Sequence, residues 1–128
     1  MAKQAVIGVQ IPANQSLSGE IDLGTHRLIA IEIPTTFSGS TLTFQSKSNR
    51  SEDDNPNAEV AQEFWKNVVD DTGTEVSVTV AANQIVVIGT VTKAALGALR
   101  YLRIRSGTSA APFNQNPTRE IKLIVKEA

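Results

Sequence analysis

The chain has 128 residues, 41% hydrophobic and 20% charged, with 12 basic against 13 acidic side chains and a formal net charge of −1. That is the length of one domain and the composition of a globular one, large enough to bury roughly two-thirds of its unfolded surface. The near-neutral balance offers no global field for nucleic acid or an anionic membrane; no apolar run nears the ~18 residues of a span; and zero cysteines exclude a disulfide framework, a thiol nucleophile and a thiolate metal site. The start, Met1-Ala2-Lys3-Gln4-Ala5, is too short and polar before Val6 to read as a signal peptide, so synthesis in the cytoplasm is the expectation.

The 12 Val, 11 Ile and 12 Thr lean to sheet, because β-branched side chains suit a pleated surface. In chain order, residues 1–10 read as an N-terminal arm or a first edge strand, and residues 11–128 as a single β-sandwich domain. Ser16–Leu23 alternates polar and apolar. Leu28–Ile33 puts Ile29, Ile31 and Ile33 on one face, and Thr41–Gln45 sends Leu42 and Phe44 inward. A long loop follows over 46–63: Asn49–Asn57 is polar, and Ala58–Glu63 reads as one or two helical turns with Asn57 as N-cap. Trp65–Val69 is a weak strand, and Glu75–Val80 alternates without a fault. Gln84–Ile88 is a continuous apolar run, the pattern of a strand buried on both faces. Thr92–Leu96 reads as a helical turn stopped by Gly97. Leu99–Arg105 sets Leu102 and Ile104 against Tyr101, Arg103 and Arg105, and Thr118–Lys126 turns Ile121, Leu123 and Val125 inward. Turn signals at Pro12–Asn14, Gly24, Ile33-Pro34, Gly39, Asp70–Gly73, Ala82-Asn83 and Ser106-Gly107 separate these runs. Eight or nine short strands so punctuated predict an all-β fold, an antiparallel sandwich or barrel.

The residues of chemistry are sparse. His26 stands alone beside a glycine turn, with no nucleophile-elbow pattern to complete a triad, and reads as an ordinary surface histidine. One His and no Cys are too few for zinc. Glu52–Asn57 is rich in oxygen ligands but lacks the calcium-loop spacing, and Asp70-Asp71-Thr72-Gly73 is first of all turn chemistry. Glu20, Asp22, Glu32 and Glu75 lie on polar strand faces where nothing selects a catalytic pair. No cofactor, metal or catalytic residue is therefore expected. The feature that stands out is Arg100, Arg103 and Arg105 around Tyr101, since arginine beside an aromatic is common at protein interfaces. The plainer reading is a strand face whose arginines pair with neighbouring carboxylates. Single-stranded nucleic acid would need more exposed aromatics than one Tyr, one Trp and four Phe supply. Trp65, between Phe64 and Val68-Val69, is a carbohydrate platform or a partly buried packing residue.

The segments Ile11–Leu23, Leu42–Ser46, Val69–Val78, Leu99–Thr108 and Ala111–Gln115 stand in an order that resembles small proteins encoded among the structural genes of tailed bacteriophages and prophages. The resemblance covers about residues 10–126 and is most specific over Arg100–Gln115; Ser46–Glu63 departs from it, standing where the family has a short Gly-rich turn. It implies a jelly-roll or galactose-binding-like sandwich and a virion structural protein on the capsid surface. The expected role is a decoration or cement protein that binds and stabilises the major capsid protein lattice as a homo-oligomer, a dimer or trimer. A tail, connector or fibre-associated position, or a carbohydrate-binding module on the virion, are the alternatives. Expected contacts are Arg100, Tyr101, Arg103, Arg105 and Trp65, with Arg50, Asp53 and Asp54 from the long loop. Neither nucleic acid nor membrane is an expected partner.

Overall fold

The computed structural model describes residues 3–48, 65–97 and 99–127. Among these lie nine strands and one short helix: β1 (Gln4–Ile11), β2 (Ile21–Asp22), β3 (His26–Ile33), β4 (Thr41–Ser46), β5 (Lys66–Asn67), β6 (Ser77–Thr79), β7 (Gln84–Val87), α1 (Thr90–Leu96), β8 (Tyr101–Ser106) and β9 (Arg119–Glu127). They form two antiparallel sheets. The first has the order β1-β9-β3-β7; the second runs β2-β8-β4-β5, with β6 also on β4. The chain changes sheet at nearly every step, the wrapping order of a jelly roll.

Period-two alternation builds the core. Ile121, Leu123 and Val125 of β9 and Ile31 of β3 face Leu42 and Phe44 of β4 and Leu102 and Ile104 of β8, and all eight have no exposed surface. Removing such side chains from water stabilises the sandwich by about 1.5–3 kcal/mol each, an upper bound because unfolded chains are already partly compact.

The segment after β8 is pinned from within. Gln115 is fully buried; its Nε2 donates to Ser38 O at 2.6 Å and to Ser106 Oγ at 2.7 Å, while its Oε1 accepts from Ser38 N at 3.1 Å. Gly107 closes β8 at φ +89°, and a Cβ there would stand 2.5 Å from Ala111 O and 2.7 Å from Phe113 N, so only glycine fits.

Three details differ from the expectations above. Ile29 does not join Ile31 and Ile33: a bulge between Leu28 and Ala30 inserts a residue, so Leu28 faces the core and Ile29 is half-buried. Gln84–Ile88 is not buried on both faces. β7 is an edge strand, with Ile85 58% and Val87 75% exposed. In Ser16–Leu23 the alternation holds for Ile21 and Leu23, both buried, but Leu17 is only half-buried and Ser18 is buried, because its Oγ accepts from Ile104 N at 2.9 Å and donates to Gly19 O. The helical turn stopped by Gly97 is present as α1, which begins at Thr90, two residues before the expected start. Of the two readings of the N-terminus the first edge strand holds: residues 4–11 pair with β9 along their length, at the end of the first sheet. The expected loop and helical turns fall, from 49 to 63, outside the described residues.

Candidate functional site

With Leu102 and Ile104 turned inward, β8 directs Tyr101, Arg103 and Arg105 to the outer face of the second sheet. Across the ladder on β4, Thr43 stands opposite Arg105 and Gln45 opposite Arg103; beyond it on β5, Asn67 stands opposite Gln45. The alternation of β4 continues past its end to Lys47, and the chain returns to the same face at Trp65.

These residues form a stack of cations and rings. The Lys47 ammonium lies 5.0 Å from the Trp65 ring centre and 5.6 Å from that of Tyr101, and its Nζ is 2.7 Å from Glu20 Oε1. The Arg103 guanidinium sits 4.2 Å over the Trp65 ring, and that of Arg100 sits 5.1 Å over Tyr101. Each contact uses the negative face of an aromatic quadrupole, worth about 0.5–2 kcal/mol depending on desolvation. Arg100 also grips Asp22 in a fork, Nε to Oδ1 at 2.8 Å and Nη2 to Oδ2 at 3.2 Å. That hydrogen-bonded pair, with its Coulombic attraction, raises the Arg100 pKa above the ordinary arginine value.

Arg105 and Arg103 differ in kind. Arg105 is 6% exposed; its Nη1 meets Glu75 Oε2 at 3.3 Å and its Nη2 donates to Asn67 Oδ1 at 2.8 Å. Glu75 in turn accepts from Ser109 N, so Arg105 ties the segment after β8 to the sheet and is spent within the protein. Arg103 is half-buried and makes no ion pair among the described residues. Its Nε and the facing Gln45 Oε1 are buried and have no hydrogen-bond partner there. Burial pulls the Arg103 pKa below the ordinary arginine value, partly offset by Glu20. Among the described residues of this face, four cations (Lys47, Arg100, Arg103, Arg105) thus meet three carboxylates (Glu20, Asp22, Glu75), leaving one positive charge in excess, seated on Arg103 against Trp65.

The structure therefore brings together five residues marked by sequence, Arg100, Tyr101, Arg103, Arg105 and Trp65, with Tyr101 7% exposed and Trp65 half-buried. Arg50, Asp53 and Asp54 lie outside the described residues. Lys47, Glu20 and Asn67 were not anticipated; continuing the β4 alternation by one step past Gln45 would have marked Lys47. Among the described residues no three His, Cys, Asp or Glu side chains are grouped to hold a metal, and no helix is long and apolar enough to cross a membrane. This face can bind by charge and stacking. Comparison with family models, curated proteins and solved structures finds no match for this chain.

Proposed function

We propose that this chain is a virion structural protein of a tailed bacteriophage, a capsid decoration or cement protein that attaches to the assembled lattice of the major capsid protein. The observation that carries this reading is the face just described: a surface of stacked cations and rings, net-cationic among its described residues and built on paired strands, on which Arg103 has a ring contact with Trp65 but no ion pair. Arginine and tryptophan are the side chains that dominate protein–protein contacts once they are desolvated. A cysteine-free jelly-roll sandwich is a fitting carrier, since its rigidity owes nothing to the redox state of its surroundings. Mechanistically, a protein that binds the closed lattice and not the free subunit stabilises the closed state by mass action, and repetition over the lattice makes modest contacts avid.

A sugar platform is less well supported, because stacking needs a free ring face and the Trp65 ring already carries Arg103 at 4.2 Å.

The test is co-sedimentation of the purified protein with expanded heads that lack it, and with tails. Saturable binding to heads, weakened at least about tenfold by Arg103→Ala or Trp65→Ala, is the expected result. Binding to tails alone would move the protein to a tail, connector or fibre position. Binding to neither, or to heads with both variants as tight as the parent, overturns the reading.

A further inference from the structure

We infer that β1 is a dimerisation edge, pairing antiparallel with β1 of a second copy about a two-fold axis through Val6. The observation is the open side of that strand. β1 is hydrogen-bonded on one side to β9, and no described strand lies on its other side. Its eight residues, Gln-Ala-Val-Ile-Gly-Val-Gln-Ile, contain no charge and no proline, and β1 pairs with β9 without a register shift. Those are the devices by which solitary edges are protected, so this edge is built to be covered.

The hydrogen-bonding parity is fixed on the page. Glu127 N donates to Lys3 O at 2.9 Å, so Lys3 and, by alternation, Ala5, Ile7, Val9 and Ile11 address β9. Gln4, Val6, Gly8 and Gln10 address the open side. Gly19 N already donates to Gln10 O at 3.3 Å, which closes that end and leaves Gln4, Val6 and Gly8. Those three are self-complementary in one arrangement that uses all of them: Val6 opposite Val6 of the second copy, and Gln4 opposite its Gly8, twice over by symmetry. Charge does not oppose it, since none of the facing residues carries any.

A second observation selects the same register. On the outer face of the first sheet, Val6 stands opposite Ile124, Ile124 opposite Ala30, and Ala30 opposite Val87. This row crosses all four strands, is apolar throughout, and ends on Val6 at 59% and Val87 at 75% exposure. Pairing about Val6 runs the rows of the two four-stranded sheets into one line. Centring on Gly8 instead would set Val6 opposite the occupied Gln10 and break the row. A two-fold axis makes the contact isologous and closed, so the product is a dimer rather than a fibre. This inference stands apart from the proposed role on the virion.

The experiment is sedimentation of the full chain across concentration, coupled to amide hydrogen exchange. Dilute protein should protect the amides of Ala5, Ile7 and Val9 but not those of Val6 and Gly8. Association should slow Val6 and Gly8 by at least about tenfold. Val6→Lys should weaken dimerisation at least about tenfold, by setting like charges directly opposite, while Val87→Lys leaves it unchanged. A chain that stays monomeric at its solubility limit overturns the inference. So does a dimer whose Val6 and Gly8 amides stay fast, or one that Val87→Lys also dissociates, which would mean face stacking. The exchange pattern of the unmutated chain decides the question even where Val6→Lys does not fold.

Discussion

Removing Glu75 should cost more than removing the arginine it holds. The Arg105 side chain is 8% exposed and that of Glu75 is 20% exposed, with 3.3 Å between Nη1 and Oε2. Glu75→Ala strands a guanidinium N–H where water scarcely reaches, and also releases Ser109 N. Unpaired charged donors cost about 1.5–3 kcal/mol, and the long contact and partly wetted carboxylate place this one near 2 kcal/mol. At ~2.1 cal/mol/K per residue, 128 residues give an unfolding entropy near 0.27 kcal/mol/K, so Tm should fall by about 7 °C. Arg105→Met keeps most of the packing volume and leaves a carboxylate that water and Ser109 N still satisfy. It should cost about 1 kcal/mol, near 4 °C. In the double variant no buried charge is left stranded, so the loss should stay well below the sum of the two. Thermal and urea unfolding of the four proteins measure this cycle. A larger loss for Arg105→Met than for Glu75→Ala, or strict additivity, would refute the view that Arg105 is an internal tie.

Gly107→Ala should destabilise by at least about 2 kcal/mol, from the positive φ and the 2.5 Å approach to Ala111 O together, and urea titration reads it directly. Leu123→Ala, at a site with no exposed surface, should cost about 3–4 kcal/mol through the cavity left between the sheets; a loss below ~1.5 kcal/mol would mean the sandwich collapses around it. Asp70 accepts from the Thr72 hydroxyl and from the N–H groups of Thr72 and Thr74, which hold its pKa below the ordinary 3.8. Because the folded pKa is the depressed one, this stabilisation is present above 3.8 and is lost as pH falls through the folded value. The stability gap between the parent and Asp70→Asn should therefore narrow below that pH in acid titrations, and a gap independent of pH would contradict the assignment.

The legible part of the fold was what alternation alone decides. Leu42 and Phe44, Leu102 and Ile104, and the Ile121–Val125 run are core residues because side chains two apart share a face, whatever the neighbours. Ile29 was misread because a bulge spends one residue without leaving a mark on the hydrophobic pattern. The Gln84–Ile88 run was misread because periodicity reports which faces are apolar, not which strand ends a sheet. At the candidate site the direction of Tyr101, Arg103 and Arg105 could be read, and their covering could not. Glu75, Asn67 and Lys47 reach that face from elements far along the chain, and such meetings are set by topology rather than by spacing.

The interleaving of the first sheet bears on when the molecule can form. β9, which lies between β1 and β3, follows the other eight described strands in chain order, and Val6 waits for Ile124. A growing chain that has not yet delivered Arg119–Glu127 holds β1 with no neighbour and β3 with one side bare. Closing so long a loop is slow as well as late. The first sheet therefore cannot close until Arg119–Glu127 has been made, and a chain stopped short of β9 is left with sticky, unclosed edges on two strands.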